Sequence, residues 1–264
     1  MKKLFFVLIG ASLLFTQSCK NAPEGSPSEE QSIETVDGKV LIRLKPKVGD
    51  VQKTLMTMNA TSEENGGLTM NMKSKVDVEV TAQEAEVYTY NMNYKSIQMD
   101  MEARGMQIKY DSEAEKQEGM AQAIHGQMKE FIGKPMVMKM SDRGMVSELT
   151  LPGNMDAKQM GDFGSISIPL PEEPVGEGDS WTAVKPMEGM GNMNMTMTVK
   201  KITTSEVVID TTGDMTDSKG EKVGTFTGQY SLDRDSGLTK DGTMDMDFEA
   251  AGQKMKMKLN FKPI

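Results

Sequence analysis

The chain has 264 residues, 26% of them charged and 37% hydrophobic, with a formal net charge of −9. That acidity argues against nucleic acid and anionic headgroups as partners of the folded part, and one cysteine with one histidine excludes a disulfide framework and the usual zinc ligand sets. Methionine is the anomaly: 27 stand against eight phenylalanines, five tyrosines and one tryptophan.

Met1-Lys2-Lys3 and the apolar run over residues 4–15 have the charged and hydrophobic regions of an export signal, too short to span a membrane durably, so residues 1–18 are read as a signal peptide. Ser18-Cys19 closes it as in a lipobox, which makes Cys19 the diacylated N-terminus of the mature chain and the membrane a partner through its acyl chains. The alternative is an ordinary cysteine beside a standard cleavage site. Residues 19–36 are rich in Pro, Ser, Glu and Gly without apolar periodicity, the composition of a lipidated flexible tether.

Strand signals begin at residues 39–45 and resume at 51–60. Leu68, Met70, Met72, Ser74, Val76, Val78 and Val80 then alternate with polar residues, the pattern of a sheet with one wet side. In the next strand, residues 87–103, Tyr88, Tyr90, Met92 and Tyr94 share one parity and Ile97, Met99 and Met101 the other, so a β-bulge is expected at Lys95-Ser96. Arg104-Gly105 turns into Met106, Ile108 and Tyr110.

The period then changes to three and four, with Met120, Ile124, Met128 and Phe131 predicting an amphipathic helix over residues 119–132 that Gly133 and Pro135 end. Residues 135–140 and 145–149 read as a hairpin, and 154–163 as a short helix. After a Pro-rich passage at 169–174, Gly178-Asp179 echoes Gly49-Asp50, Met193-Asn194-Met195 echoes Met70-Asn71-Met72, and Glu206-Val207 echoes Glu86-Val87. Two copies of one β unit, at 37–164 and 165–264, account for these echoes. Strands at 206–212, 223–232, 242–250 and 254–262 complete the second.

The lipobox, the paired Gly-Asp openings, the run from Pro169 through Pro171-Glu172-Glu173-Pro174 to Trp181, and the Met-rich strands together resemble a family of uncharacterised Bacteroidetes lipoproteins. That resemblance brings no activity with it. The architecture it implies is similar to that of periplasmic half-barrel lipoprotein carriers. The expected fold is thus mainly β (α+β), with long curved antiparallel strands from two similar repeats and one or two helices on the Met-rich face.

Met70/Met72, Met99/Met101, Met136/Met138/Met140, Met193/Met195/Met197, Met244/Met246 and Met255/Met257 each put thioethers on one face of a strand. They can be core filler, since unbranched thioether chains fill irregular gaps, or the lining of a cavity for acyl chains or other apolar ligands. Soft-metal chemistry with Cu(I) is a third reading, and sacrificial oxidation a fourth. His125 is expected to face solvent on its helix, and Trp181 to anchor the second core. Asp100/Glu102 and Asp245/Asp247 read as the wet face. Residues 233–237 have some of a calcium loop's oxygens without its later bidentate glutamate.

No nucleophile elbow, activated cysteine or phosphate loop is present. The sequence therefore points to a non-enzymatic protein without cofactor, exported and lipid-anchored at the cell envelope, on the outer membrane facing the periplasm or at the cell surface. Its expected role is to bind or carry an apolar ligand. The rivals are a structural or interaction lipoprotein with a solid methionine core, and a Cu(I)-binding protein.

Overall fold

The computed structural model describes residues 35–36, 38–62, 67–152, 168–187, 191–250 and 252–264. The signal peptide, Cys19, the tether up to residue 34 and the short helix expected at 154–163 lie outside the described residues. In chain order the first half comprises β1 (Thr35–Val36), β2 (Lys39–Val40), β3 (Val51–Ser62), β4 (Leu68–Glu84), β5 (Val87–Ala103), β6 (Met106–Asp111), α1 (Met120–Met128), β7 (Met136–Ser141) and β8 (Val146–Thr150). The second comprises β9 (Ser180–Met187), β10 (Gly191–Ile202), β11 (Glu206–Thr216), β12 (Lys222–Asp233), β13 (Thr239–Ala250) and β14 (Gln253–Pro263).

Apart from the short β1–β2 pair, the strands form one antiparallel 12-stranded sheet in the order β8-β7-β5-β4-β3-β14-β13-β12-β11-β10-β9, with β6 also paired to β5. The sheet does not close. Its halves are joined where β14 pairs β3, from Lys256 opposite Thr61 to Pro263 opposite Thr54. One side carries most of the apolar residues of the strands, with Thr54, Ser74 and Thr211 buried among them, and the other carries the Lys, Asp and Asn residues. Pairs such as Lys258–Asp245, Lys200–Asp210 and Lys109–Asp100 link strands on the polar side.

The bulge lies where the alternation changes phase. Ser96 pairs Lys75 and Tyr94 pairs Val76, leaving Lys95 as the extra residue of β5. Here β5 also changes partner, since Val87 to Met92 pair β7 whereas Gln98 to Ala103 pair β6. The gap is filled from α1's flanks: Ser112 N–H bonds Ile97 O (2.9 Å), Ile97 N–H bonds Ser112 Oγ (2.9 Å), and Gly133 N–H bonds Tyr94 O (3.0 Å).

The helix is shorter than the predicted 119–132. It ends at Met128, after which the N–H groups of Phe131 and Ile132 both turn back to Met128 O. Gly133 then adopts φ 74° and reaches β5. Such a left-handed stop redirects the chain at little cost for glycine, and here it brings Phe131 into the core instead of along a helix stripe.

The two halves repeat at the level of single hydrogen bonds. Gly49 N–H bonds Val80 O (2.8 Å) and Val80 N–H bonds Asp50 O (2.9 Å); Gly178 N–H bonds Val199 O (2.8 Å) and Val199 N–H bonds Asp179 O (2.9 Å). In each copy the aspartate carboxylate also accepts from the N–H three residues before it, that of Lys47 or Gly176. The Gly-Asp echo is thus a shared turn, with positive φ at both glycines.

Residues 39–45 were expected as a strand, but only Lys39 and Val40 belong to one. Beyond them the chain runs as a strap across one end of the sheet. Val40 exchanges two hydrogen bonds with Val175, Leu44 N–H bonds Asp142 O, and Lys45 N–H bonds Ser236 O. Its N–H groups go to separate turns rather than to one neighbouring strand, while Val40, Ile42 and Leu44 still alternate into the core beside Ile168, Leu170 and Val175. At this end the strap and residues 168–175 link the neighbourhoods of β8 and β9, the unpaired ends of the strand order.

Candidate functional site

The register places distant methionines in transverse rows on the apolar face. One row runs Trp181, Met197, Thr211, Gly228, Met244, Leu259, Met58, Met72, Met99 and Tyr110, each opposite the next. The row farther from the strap runs Ala183, Met195, Gly213, Phe226, Met246, Met257, Ala60, Met70, Met101 and Ile108. A third joins Met193, Met215, Gly224, Phe248 and Met255. Met136, Met138 and Met140 share this face, opposite Met92, Tyr90 and Tyr88.

Glycines let these rows bend. A Cβ on Gly213 would lie 2.0 Å from Asn194 O and 2.5 Å from the Phe226 ring, and one on Gly242 would lie 2.3 Å from the Phe261 ring. The strands approach closely there because glycine leaves the space. Neither glycine carries a sequence signal beyond its parity.

Burial divides the fourteen predicted site methionines into two sets. Met136, Met138, Met140, Met193, Met195, Met197, Met246 and Met257 are buried, Met197 completely at 0% exposure. A side chain with no accessible surface has no water-sized space beside it, so Met197 packs rather than lines a void. Met70, Met72, Met99, Met101, Met244 and Met255 are only partly buried, as are Met56, Met58 and Leu259. The partly buried strand thioethers therefore lie on β3, β4, β5, β13 and β14, in the sections farther from the strap, whereas Met106, Met120 and Met145 are exposed. Met56 and Met58, a Met-x-Met pair of the same parity pattern in the sequence, join this surface because β3 pairs β4 and β14.

Depressions adjoin the sheet. One of about 540 Å³ near the strap is lined by Gln52, Val78, Val80, Tyr90, Leu238 and Pro263 together with Asp50, Lys53, Asp233 and Lys240. Two others, of about 530 and 490 Å³, lie against the polar side, the first lined chiefly by Thr61, Asp247, Glu249, Lys254 and Lys256 and the second by Thr57, Asn59, Asn71, Lys73, Gln98 and Asp100.

Other sequence candidates have structural explanations. His125 does not simply face solvent: it is half-buried, with its ring 6.0 Å from that of Tyr110 and Nδ1 3.4 Å from the phenol oxygen. The helix rests on edge strand β6, and this contact turns the histidine inward. Trp181 is half-buried and donates from Nε1 to Pro169 O at 2.9 Å, tying the Pro-rich segment to β9. Asp233 Oδ1 accepts from Ser236 N–H and Ser236 Oγ, so its loop is an internally bonded turn. Among the described residues there is no cluster of His, Cys, Asp or Glu fit to hold a metal ion.

Burial raises the pKa of all five tyrosines, Tyr88, Tyr90, Tyr94, Tyr110 and Tyr230, with nearby carboxylates adding to the effect at Tyr88 and Tyr110. These phenols remain neutral at physiological pH.

A model for a family of unknown function (DUF6263) matches the sequence twice, over residues 85–160 and 151–250. No curated protein matches. Among solved structures, one of lipovitellin concerned with lipid–protein interactions is similar at TM-score 0.54 and 11% identity, covering 83% of this chain and 25% of that one. The present chain thus spans a quarter of lipovitellin, and the likeness is one of fold. An outer membrane channel from Pseudomonas putida F1 matches at TM-score 0.26 and 8% identity, covering 88% of this chain and 100% of its own. A putative outer membrane lipoprotein-sorting protein domain from Vibrio parahaemolyticus matches at TM-score 0.19 and 7% identity, with 80% and 85% covered.

Proposed function

The chain belongs to the DUF6263 family of unknown function, and from that premise we propose that it is a non-enzymatic carrier or binding module for an apolar ligand, held at the cell envelope by acyl chains on Cys19. The observation that carries this reading is the patch of partly buried thioethers on β3, β4, β5, β13 and β14. It is apolar, accessible and built from flexible, polarizable side chains, which adapt to ligands of varied shape. The fold shared with lipovitellin, whose structure concerns lipid–protein interactions, supports the same ligand class. The export signal and lipobox support the envelope location.

The test is to purify the whole protein from its own cell envelope, extract it with organic solvent, and compare the recovered lipid with the acyl content of the Cys19 anchor. A stoichiometric excess that falls in a Met70→Gln/Met101→Gln variant is the expected result. No excess would give precedence to the second reading, a structural or interaction lipoprotein with a solid core, which the sealed packing of Met136, Met195 and Met197 favours.

A further inference from the structure

On β4, Met72 stands directly opposite Met58 of β3 on one side and Met99 of β5 on the other, two strand spacings apart, and Met70 faces Met101 in the adjoining row. All five are partly buried on the apolar face, neither sealed in the core nor projecting freely. Directly opposite residues of an antiparallel pair have Cβ atoms about 5 Å apart, and successive residues on one face of a strand lie about 6.6 Å apart. Each methionine has three rotatable bonds beyond its backbone. Three thioether sulfurs from this group can therefore converge on one point without moving a strand.

Packing alone does not account for the choice of residue. Nearer the strap the same strands fill their apolar positions mainly with Val76, Val80, Tyr90 and Ile97, the branched and aromatic types that suit a pleated surface, with Met92 of β5 the methionine among them. Where the face is only half covered, and a gap-filling side chain is least needed, the inward positions of β3, β4 and β5 in these two rows are methionine except for Ala60. Thioethers are soft, neutral ligands that select Cu(I) over harder divalent ions. The chain's formal charge of −9 favours an incoming cation.

From this juxtaposition we infer that Met58, Met72 and Met99, with Met70 and Met101 beside them, form a thioether site for a soft monovalent cation of the Cu(I) class. Binding is simple coordination, with no change in oxidation state. The site shares its residues with the apolar patch of the carrier reading, and leucine separates the two because it preserves an apolar surface and removes the sulfur.

The test is an anaerobic titration of the whole protein with Cu(I) presented as its bicinchoninate complex. The native protein is expected to withdraw one equivalent, and a Met58→Leu/Met72→Leu/Met99→Leu variant to bind at least about tenfold more weakly. A control variant at the exposed methionines, Met106→Leu/Met120→Leu/Met145→Leu, is expected to retain the equivalent. Failure of the native protein to withdraw copper overturns the inference, as does undiminished binding by the first variant or loss of binding in the control. Circular dichroism checks folding; if the triple variant does not fold, Met72→Leu alone, at the middle of the row, must weaken binding or the inference falls.

Discussion

Ala85 holds φ at 52° in the two-residue turn between β4 and β5, a left-handed conformation that costs an L-residue roughly 1–2 kcal/mol. Ala85→Gly is accordingly expected to stabilise the protein by about 1 kcal/mol, net of glycine's larger entropy loss, visible as a higher urea midpoint with an unchanged slope. The opposite sign is expected at Gly242. A methyl there would meet the rings of Phe261 and Tyr230 at 2.3 and 2.9 Å, so Gly242→Ala should destabilise by about 2 kcal/mol or more, measured in the same urea series. In sequence Gly242 is the first residue of the strand expected at 242–250. Its role depends on a ring 19 positions away in the chain, which no local pattern reveals.

At the scale of elements, the strap depends on Arg43. Its guanidinium donates to the carbonyls of Ile42, Pro171 and Glu172 at 2.6–2.8 Å, and Nε lies 3.3 Å from the Asp142 carboxylate. Arg43→Met leaves those acceptors without their charged donor, and a loss of about 2–3 kcal/mol is expected by urea denaturation. For the apolar patch, Met70→Gln/Met101→Gln is expected to weaken binding of a fluorescent fatty-acid probe by at least about tenfold, whereas Met138→Leu in the sealed set should leave it unchanged; each buried methylene exchanged for polar surface costs the ligand about 0.8 kcal/mol. Long strands were legible because alternation over many residues admits only one period. The bounds of β5 match the expected residues 87–103, and its bulge falls at the phase change. The strap was not legible, because its alternation is that of a strand while its hydrogen bonds go to three unrelated turns.

For the whole molecule, burial sets the alkaline limit. The unfolded chain releases its phenolic protons near pH 10, whereas desolvation raises all five folded tyrosines above that value. Stabilisation from neutral phenols is complete below about pH 10 and is lost as pH rises through the folded values. Absorbance titration should show little phenolate before unfolding, then a cooperative rise coincident with loss of the β-sheet dichroism. Deleting residues 253–264 removes the strand that joins β3 to β13 and is expected to abolish cooperative folding, checked by chemical denaturation. The sequence by itself determined the all-antiparallel pattern, the Met-rich face and the repeat, since each is carried by local periodicity or by a short motif. Only the tertiary structure decided that both repeats share one sheet, that eight predicted site methionines are sealed while six remain accessible, and that Met72 stands between Met58 and Met99. Parity tells which side of a strand a residue faces, but what lies opposite it depends on register and on how the rest of the chain covers that side.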